Sequence, residues 1–519
     1  MPDPKPPVSP WLIAVSVMFG TFMVVLDTTV VNVSLPHIAG NLSSTIEEST
    51  WALTSYLAAN AIILPITGWL ANYFGRRRLL LISVAGFTTA SLLCGLATSL
   101  PILILWRVVQ GMTGGVMQPL SQAIMLEAFE PRDRGKAMAF FGVGIVVAPV
   151  LGPVLGGWLT DNWSWRWVFY VNLPIGILSF LMLRAYVFDP PYIRRGTAGI
   201  DYWGIGLLAV GIAALQIALD QGQQKDWLSS DLIVVLLVMA AGGLGIFILH
   251  AFHSRHPVVD LRLFREPTYA TGVVLITAMS FGLYSSLVLM PVLLQTLLGY
   301  PSLEAGYAMA PRGLGSLLAM PLVGLLMNRT DPRRLIVIGF LVNAVSLYWM
   351  SWLNLEAGFW DIFWPQFVQG VGMGLLFVPL TTVTMDRISP REMGPATSVF
   401  NLLRNIGGSI GIAVIQTVLA RDRQEHFNTI GAHVSQYSMQ TQMMLKNLTA
   451  AFVAKGADPV TAANRAYAGV FGMVQKQAAM IAFLDGFKLL AVVFLLLIPL
   501  VLLMRKPRHH ESPGMIAGD

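Results

Sequence analysis

Charge is what this chain has least of. Asp, Glu, Lys and Arg make up 12% of its 519 residues, against 55% hydrophobic residues. A water-soluble domain carries roughly 25% charged residues, so the composition points to the membrane class. Cysteine is nearly missing as well. Cys94 stands alone, which rules out an internal disulfide and any metal site built from thiolates. The chain has no nucleotide-binding glycine loop, no His-Glu-x-x-His and no serine elbow, so nothing in it points to an enzyme. The net charge of +6 forms no stripe for a nucleic acid; its basic residues are scattered through short loops. His250, His253 and His256 share one loop and read as a solvated face, not a metal site. The first apolar segment lacks a small-residue cleavage site and holds an acid, so it reads as a retained span.

Long apolar runs are abundant. A span needs about 20 apolar residues. By that rule fourteen are expected: 11–35, 48–70, 78–98, 102–126, 136–158, 166–187, 202–219, 231–251, 268–297, 303–327, 334–353, 361–384, 394–420 and 478–504. Alternate loops hold Arg76–Arg78, Arg132, Arg134, Lys136, Arg329, Arg333, Arg334, Arg387 and Arg391, whereas the opposite short loops hold only Lys225. The positive-inside rule then puts both termini in the cytoplasm. The expected class is an all-α polytopic membrane protein. The long outward loop at 421–477 is polar, with stretches able to form amphipathic helices and Pro459 expected to break them. It suits either a solvated excursion or a docking surface for a periplasmic partner.

The chain is duplicated. Val109-Gln110-Gly111 recurs as Val368-Gln369-Gly370, and each copy is followed by an acid (Glu127, Asp386) and a Pro-Arg-acid-x-Gly-x-Ala run. Gly68 precedes Arg77-Arg78-Leu79 as Gly324 precedes Arg333-Arg334-Leu335. Duplicated polytopic bundles are typical of transporters. The repeat leaves 202–219 and 231–251 as an inserted pair, a 6+2+6 layout. The expected units are 1–200, 201–267 and 268–519.

A few polar groups do not belong in lipid. Asp27 lies about 24 Å along the first span at ~1.5 Å per residue, in the outer half of the bilayer core. It reads either as a proton-binding carboxylate or as an acid permanently paired with an arginine. Arg107 begins a stripe with Gly111, Gly114, Gln118 and Gln122. That face either lines a cavity or serves a purely structural helix contact. Asn32, Asp220, Gln295 and Gln369 complete the candidate cavity lining, and Arg312 and Arg404 are candidates for coupling in the second half. Glu127 and Asp386 lie near the repeated-loop arginines, among them Arg76, Arg77, Arg333 and Arg334, and are expected to latch the cytoplasmic side through weak ion pairs. Asp485 and Lys488, one turn apart, read as a self-neutralising pair. In the fifth span Pro149, Gly152, Pro153, Gly156 and Gly157 punctuate one run, whose glycine spacing allows close helix approach.

These residues resemble the major facilitator superfamily, and within it the fourteen-span drug:H+ antiporters, over nearly the whole chain. Leu26 to Val33 is similar to that group's first-span motif, and Gly68 to Arg78, with Gly75 inside it, to the superfamily loop motif. Asn72 stands where that motif has aspartate, which leaves its usual charge relay without an acid. Arg107 to Gly111 resembles the proton-coupling motif, Ala148 to Gly157 the antiporter motif, and Trp165 to Pro174 the signature that follows. Segments such as Ile38 to Leu42, Leu215 to Asp220 and Trp364 to Gly370 resemble the EmrB-like exporters. The resemblance implies proton-driven export of hydrophobic toxic compounds across the inner membrane, with the proton as coupling ion and no other cofactor. It also implies an EmrA-like periplasmic membrane-fusion adaptor and a TolC-like outer-membrane channel as partners. The alternatives are an exporter of a single metabolite, such as a fatty acid or siderophore, or a proton-coupled importer.

Overall fold

The computed structural model describes residues 9–190, 201–254, 257–327, 329–435 and 437–505. His256 lies outside them. Fourteen helices are long and apolar enough to cross a membrane. They are α1 Pro10–Asn41, α2 Trp51–Phe74, α3 Arg76–Gly95, α4 Leu100–Ala128, α5 Arg134–Asn162, α6 Trp167–Tyr186 and α7 Tyr202–Gln221. The rest are α8 Asp231–His253, α9 Pro267–Leu297, α10 Glu304–Leu326, α11 Pro332–Met350, α12 Phe359–Met385, α13 Met393–His433 and α14 Pro459–Val501. No strand occurs among the described residues.

Helices α1 to α6 pack on one another, and so do α9 to α14. Between the two sets, α5 lies on α10 and α12, and α13 lies on α2 and α4. The inserted α7 rests against both α2 and α13, where Leu208 and Ile212 join Leu64, Val399 and Leu402 in one apolar cluster. Its polar contacts also reach both sides. Thr54 on α2 donates to Asp220, and Ser409 on α13 donates to Gln216 at 3.1 Å. α8 packs mainly on α7 and buries only Ile233, Ala240, Phe247 and Ala251, as expected of a uniformly apolar helix bathed in lipid. Trp158, Trp163 and Trp167 cluster at the end opposite the arginines, with partly exposed rings suited to a membrane interface.

The 421–477 region departs from the expected polar loop. α13 runs on to His433, α14 already starts at Pro459, and a helix Met439–Ala454 packs between them on α14. With 41 and 43 residues, α13 and α14 measure about 60 Å and 65 Å at ~1.5 Å per residue. A bilayer core is ~30 Å thick, so a helical stalk stands beyond it. Pro459 does not break a helix here; it opens one. At the first turn its missing N–H has no carbonyl to serve, and Asp458 caps the end by accepting from Val460 and Thr461, both at 3.1 Å.

Candidate functional site

Two of the helices packed on α1, α4 and α6, converge on Asp27. Its carboxylate is fully buried and takes three hydrogen bonds: Arg107 Nη1 at 2.6 Å, Gln110 Nε2 at 3.0 Å and Asn172 Nδ2 at 2.8 Å. Arg107 is also fully buried. Its Nη1 reaches Gln110 Oε1 at 2.8 Å, its Nε reaches the Ala52 carbonyl at 2.9 Å, and its guanidinium carbon lies 4.1 Å from the Tyr56 ring centre. Asn172 is steadied in turn by Ser91 at 3.0 Å. An acid and a base in apolar surroundings are tolerable only when paired and further hydrogen-bonded, and both conditions hold here.

Backbone packing sets where this pair sits. The Cβ of an alanine at Gly156 would stand 2.9 Å from the Val30 carbonyl oxygen, and one at Gly152 would collide with Thr29. The two glycines therefore let α5 lie directly on α1 beside Asp27, as their spacing predicts. Pro149 lies half-buried in the same helix, and the side chain of Pro153 lies outside those described. Gly157 differs: nothing lies within 4 Å of its Cβ position, so it takes no part in the contact.

The α4 stripe divides in a way that hydropathy does not show. Gly111 and Gly114 serve helix contacts rather than a cavity wall. A side chain at Gly111 would run into the Tyr56 carbonyl, and one at Gly114 would meet Phe87 at 3.0 Å. Gln118 is buried. Gln122 bridges the two halves, accepting from Asn401 on α13 at 2.6 Å. Of the other expected cavity residues, Asn32 is exposed and Asp220 is tied to Thr54. Gln295 is exposed in the π-turn Leu293–Leu297 that ends α9. Gln369 is fully buried and donates to Ser286 at 3.2 Å, and Arg312 donates to the same hydroxyl at 2.6 Å. Arg404 is buried on α13 facing Tyr284. Neither Arg312 nor Arg404 joins Asp27.

The arginine-rich end is closed, chiefly by glycine. A Cβ at Gly68 on α2 would lie 2.5 Å from Pro395 Cα, and one at Gly324 on α10 would lie 3.0 Å from the Gly135 carbonyl oxygen. These are repeat-related contacts, each formed between one half and the other. Gly75 turns α2 into α3 at φ +87°, a conformation open to glycine. The expected latch is arranged differently. Arg76 pairs with Glu127 inside the first half, while Arg77 binds Asp189 through its backbone N–H at 2.8 Å. Arg333 turns to Asp331 at 3.0 Å, its own helix cap, and Arg334 is exposed. Arg134 on α5 lies within the field of both Asp386 from the second half and Glu127 from the first. Asn72 is half-buried at this seam.

Two other expectations resolve here. Lys488 donates to Asp485 at 2.9 Å, the self-neutralising pair, and His426 joins the same carboxylate at 2.9 Å. His250 is half-buried with its ring 2.7 Å from Asp201, the N-cap of α7, and His253 is exposed. No cluster of three or more metal-ligating side chains occurs among the described residues. The residues that sequence reasoning missed are Gln110, Asn172, Tyr56 and Arg134. Gln110 carried a usable signal, because it occupies the centre of the duplicated tripeptide.

A family model described as Major Facilitator Superfamily matches residues 17–412. The chain is similar to the fatty acid resistance protein FarB of Neisseria gonorrhoeae, 36% identical over 507 residues and covering 97% of each. It is also similar to the multidrug export protein EmrB of Escherichia coli K12, 35% identical over 498 residues, 96% of this chain and 95% of that one. Among solved structures it matches the human organic anion transporter MFSD10 with a TM-score of 0.63, over 96% of this chain and 100% of that one. At 14% identity that last likeness speaks for the fold alone.

Proposed function

The chain belongs to the major facilitator superfamily as a multi-pass inner-membrane protein, and we propose that it expels hydrophobic toxic compounds by proton antiport. The observation that carries this reading is the Asp27–Arg107 pair. While ionised, Asp27 neutralises Arg107 inside the first half. A proton arriving on Asp27 removes that charge and leaves a buried guanidinium unbalanced, which costs several kcal/mol unless the surroundings rearrange. Protonation therefore favours a different packing of α1, α4 and α6. That is the differential stabilisation that alternating access requires.

In the outward-open state Asp27 takes up a proton and cargo leaves. In the inward-open state it releases the proton and cargo enters. The halves 1–200 and 268–519 rock against each other, with 201–267 riding on the seam, both termini cytoplasmic, and Gly68, Gly135 and Gly324 forming the inner closure. We assign Asn32, Gln118, Asp220 and Gln369 to the substrate path. Arg404 is assigned to conformational coupling in the second half. The stalk formed by α13, α14 and the helix Met439–Ala454 is a fitting contact for an EmrA-like adaptor leading to a TolC-like channel. The similarity to FarB favours a second reading, export of fatty acids as the main cargo.

The test uses inside-out vesicles with an imposed proton gradient and a fluorescent hydrophobic cation. Wild-type protein should accumulate the dye, and Asp27→Asn should not, at equal membrane expression. Gradient-driven accumulation that survives in Asp27→Asn would remove the carboxylate from the coupling step.

A further inference from the structure

The duplication places the same four positions in each half, and the two sets have been filled differently. The offset that carries Gln110 onto Gln369 also carries Asp27 onto Ser286 and Arg107 onto Gln366. The offset that carries Gly68 onto Gly324 carries Tyr56 onto Arg312. Local geometry is kept. Gln110 donates to Asp27 at 3.0 Å and Gln369 donates to Ser286 at 3.2 Å. Arg107 donates to Asp27 at 2.6 Å and Arg312 donates to Ser286 at 2.6 Å. The arginine has moved from the fourth helix of one half to the second helix of the other, and its side chain still reaches the same place.

Charge is not kept. In the first half a carboxylate balances the guanidinium; in the second half a hydroxyl stands in its position. Among the described residues no carboxylate pairs with Arg312, although its side chain is only 5% exposed. Hydrogen-bonding capacity is left over as well. Arg312 Nη1, Gln369 Oε1, the Ser285 hydroxyl and both polar atoms of Gln366 are buried without partners. A buried cation with a free N–H arm, sharing its serine with an amide N–H and with a second amide one turn further along the same helix, is a socket for an anion. One turn along the same helices, Leu289, Met290 and Met373 are buried too, so apolar surface adjoins the charge.

We infer that Arg312, Ser286, Gln366 and Gln369 bind the anionic head group of an amphiphilic cargo, most simply a carboxylate. The cargo supplies to the second half the oxygens that Asp27 supplies to the first. The inference rests on the export reading and gives it a cargo class: hydrophobic monoanions. It also divides the labour. The first half carries its own carboxylate for the proton, and the second half leaves the equivalent place for the carboxylate of the substrate.

The experiment measures equilibrium binding of decanoate to the full-length protein in lipid nanodiscs, with empty discs subtracted and decyltrimethylammonium as the oppositely charged control. Arg312→Gln removes the cation. Ser286→Asp rebuilds the internal pair of the first half, so it neutralises Arg312 and is expected to leave the fold intact. Each variant should weaken decanoate by about tenfold or more while the cation changes by less than about twofold, the pattern of losing one buried charge partner. Acetate and chloride should not displace decanoate. Unchanged decanoate binding by folded Ser286→Asp protein would overturn the assignment. Displacement by chloride, with no dependence on chain length, would also overturn it by showing an inorganic-ion site. The export reading is scored separately, by gradient-driven uptake of the cation into proteoliposomes of the same preparations. That flux can persist while the anion site fails, or vanish while binding behaves as expected.

Discussion

Replacing Arg107 with leucine should destabilise the first half more than almost any other single change, and replacing Asp27 as well should reverse much of the loss. The Asp27 carboxylate would keep Gln110 at 3.0 Å and Asn172 at 2.8 Å but lose its counter-charge. Removing one partner of a buried ion pair costs about 3–5 kcal/mol, because the other charge stays buried and uncompensated. Exchanging both partners for apolar side chains of similar size is often close to neutral. The chain carries its own reporter. Cys94 is the only cysteine, is fully buried, and its sulfur lies 3.6 Å from Gln110 Oε1. A thiol-reactive dye therefore reaches it only when this region opens. At about 1.4 kcal/mol per tenfold, Arg107→Leu should speed labelling by two to three orders of magnitude. Asp27→Leu combined with Arg107→Leu should label nearer the wild-type rate while transporting nothing. Single-variant labelling within about threefold of wild type would refute the reasoning, since a pair worth so little would be no buried ion pair.

Three further outcomes follow from the packing. Gly156→Leu should abolish drug resistance at normal expression, because its Cβ position lies 2.9 Å from the Val30 carbonyl oxygen, whereas Gly157→Ala, with nothing within 4 Å, should leave resistance unchanged. Gly324→Val should hold the arginine-rich end apart, since the Gly135 carbonyl oxygen lies 3.0 Å from its Cβ position. Paired spin labels across that end would read longer distances in the variant, and an unchanged distribution would count against the glycine closure. Replacing the helix Met439–Ala454 with a short Gly/Ser link should spare proton-driven dye uptake in vesicles but remove resistance of whole cells. Full cellular resistance in that variant would separate the stalk from any adaptor.

Hydropathy and internal repetition suffice to locate the spans, the duplication and the oddest residues. Twenty apolar residues in a row have one economical structure in lipid, so α1 to α12 appear within a few residues of where hydropathy puts them. Asp27 and Arg107 were legible for the same reason, because ionised groups inside such runs need a special explanation. The spacing of Gly152 and Gly156 announced a close helix contact. The partners of those residues are set by packing between helices. Gln110 and Asn172 reach Asp27 from other helices, and no local pattern records that meeting. The stripe that holds Gly111 suits a cavity wall or a helix contact, and the Tyr56 carbonyl lying against it makes it a contact. Pro459, read as a breaker, proved to be the first turn of α14, because a proline's effect depends on whether a carbonyl waits behind it. The contrast between Arg107, which has an acid, and Arg312, which has none, also lies beyond periodicity. Hydropathy reports how costly a buried charge is, but whether that cost is met depends on side chains that the fold brings from far along the chain.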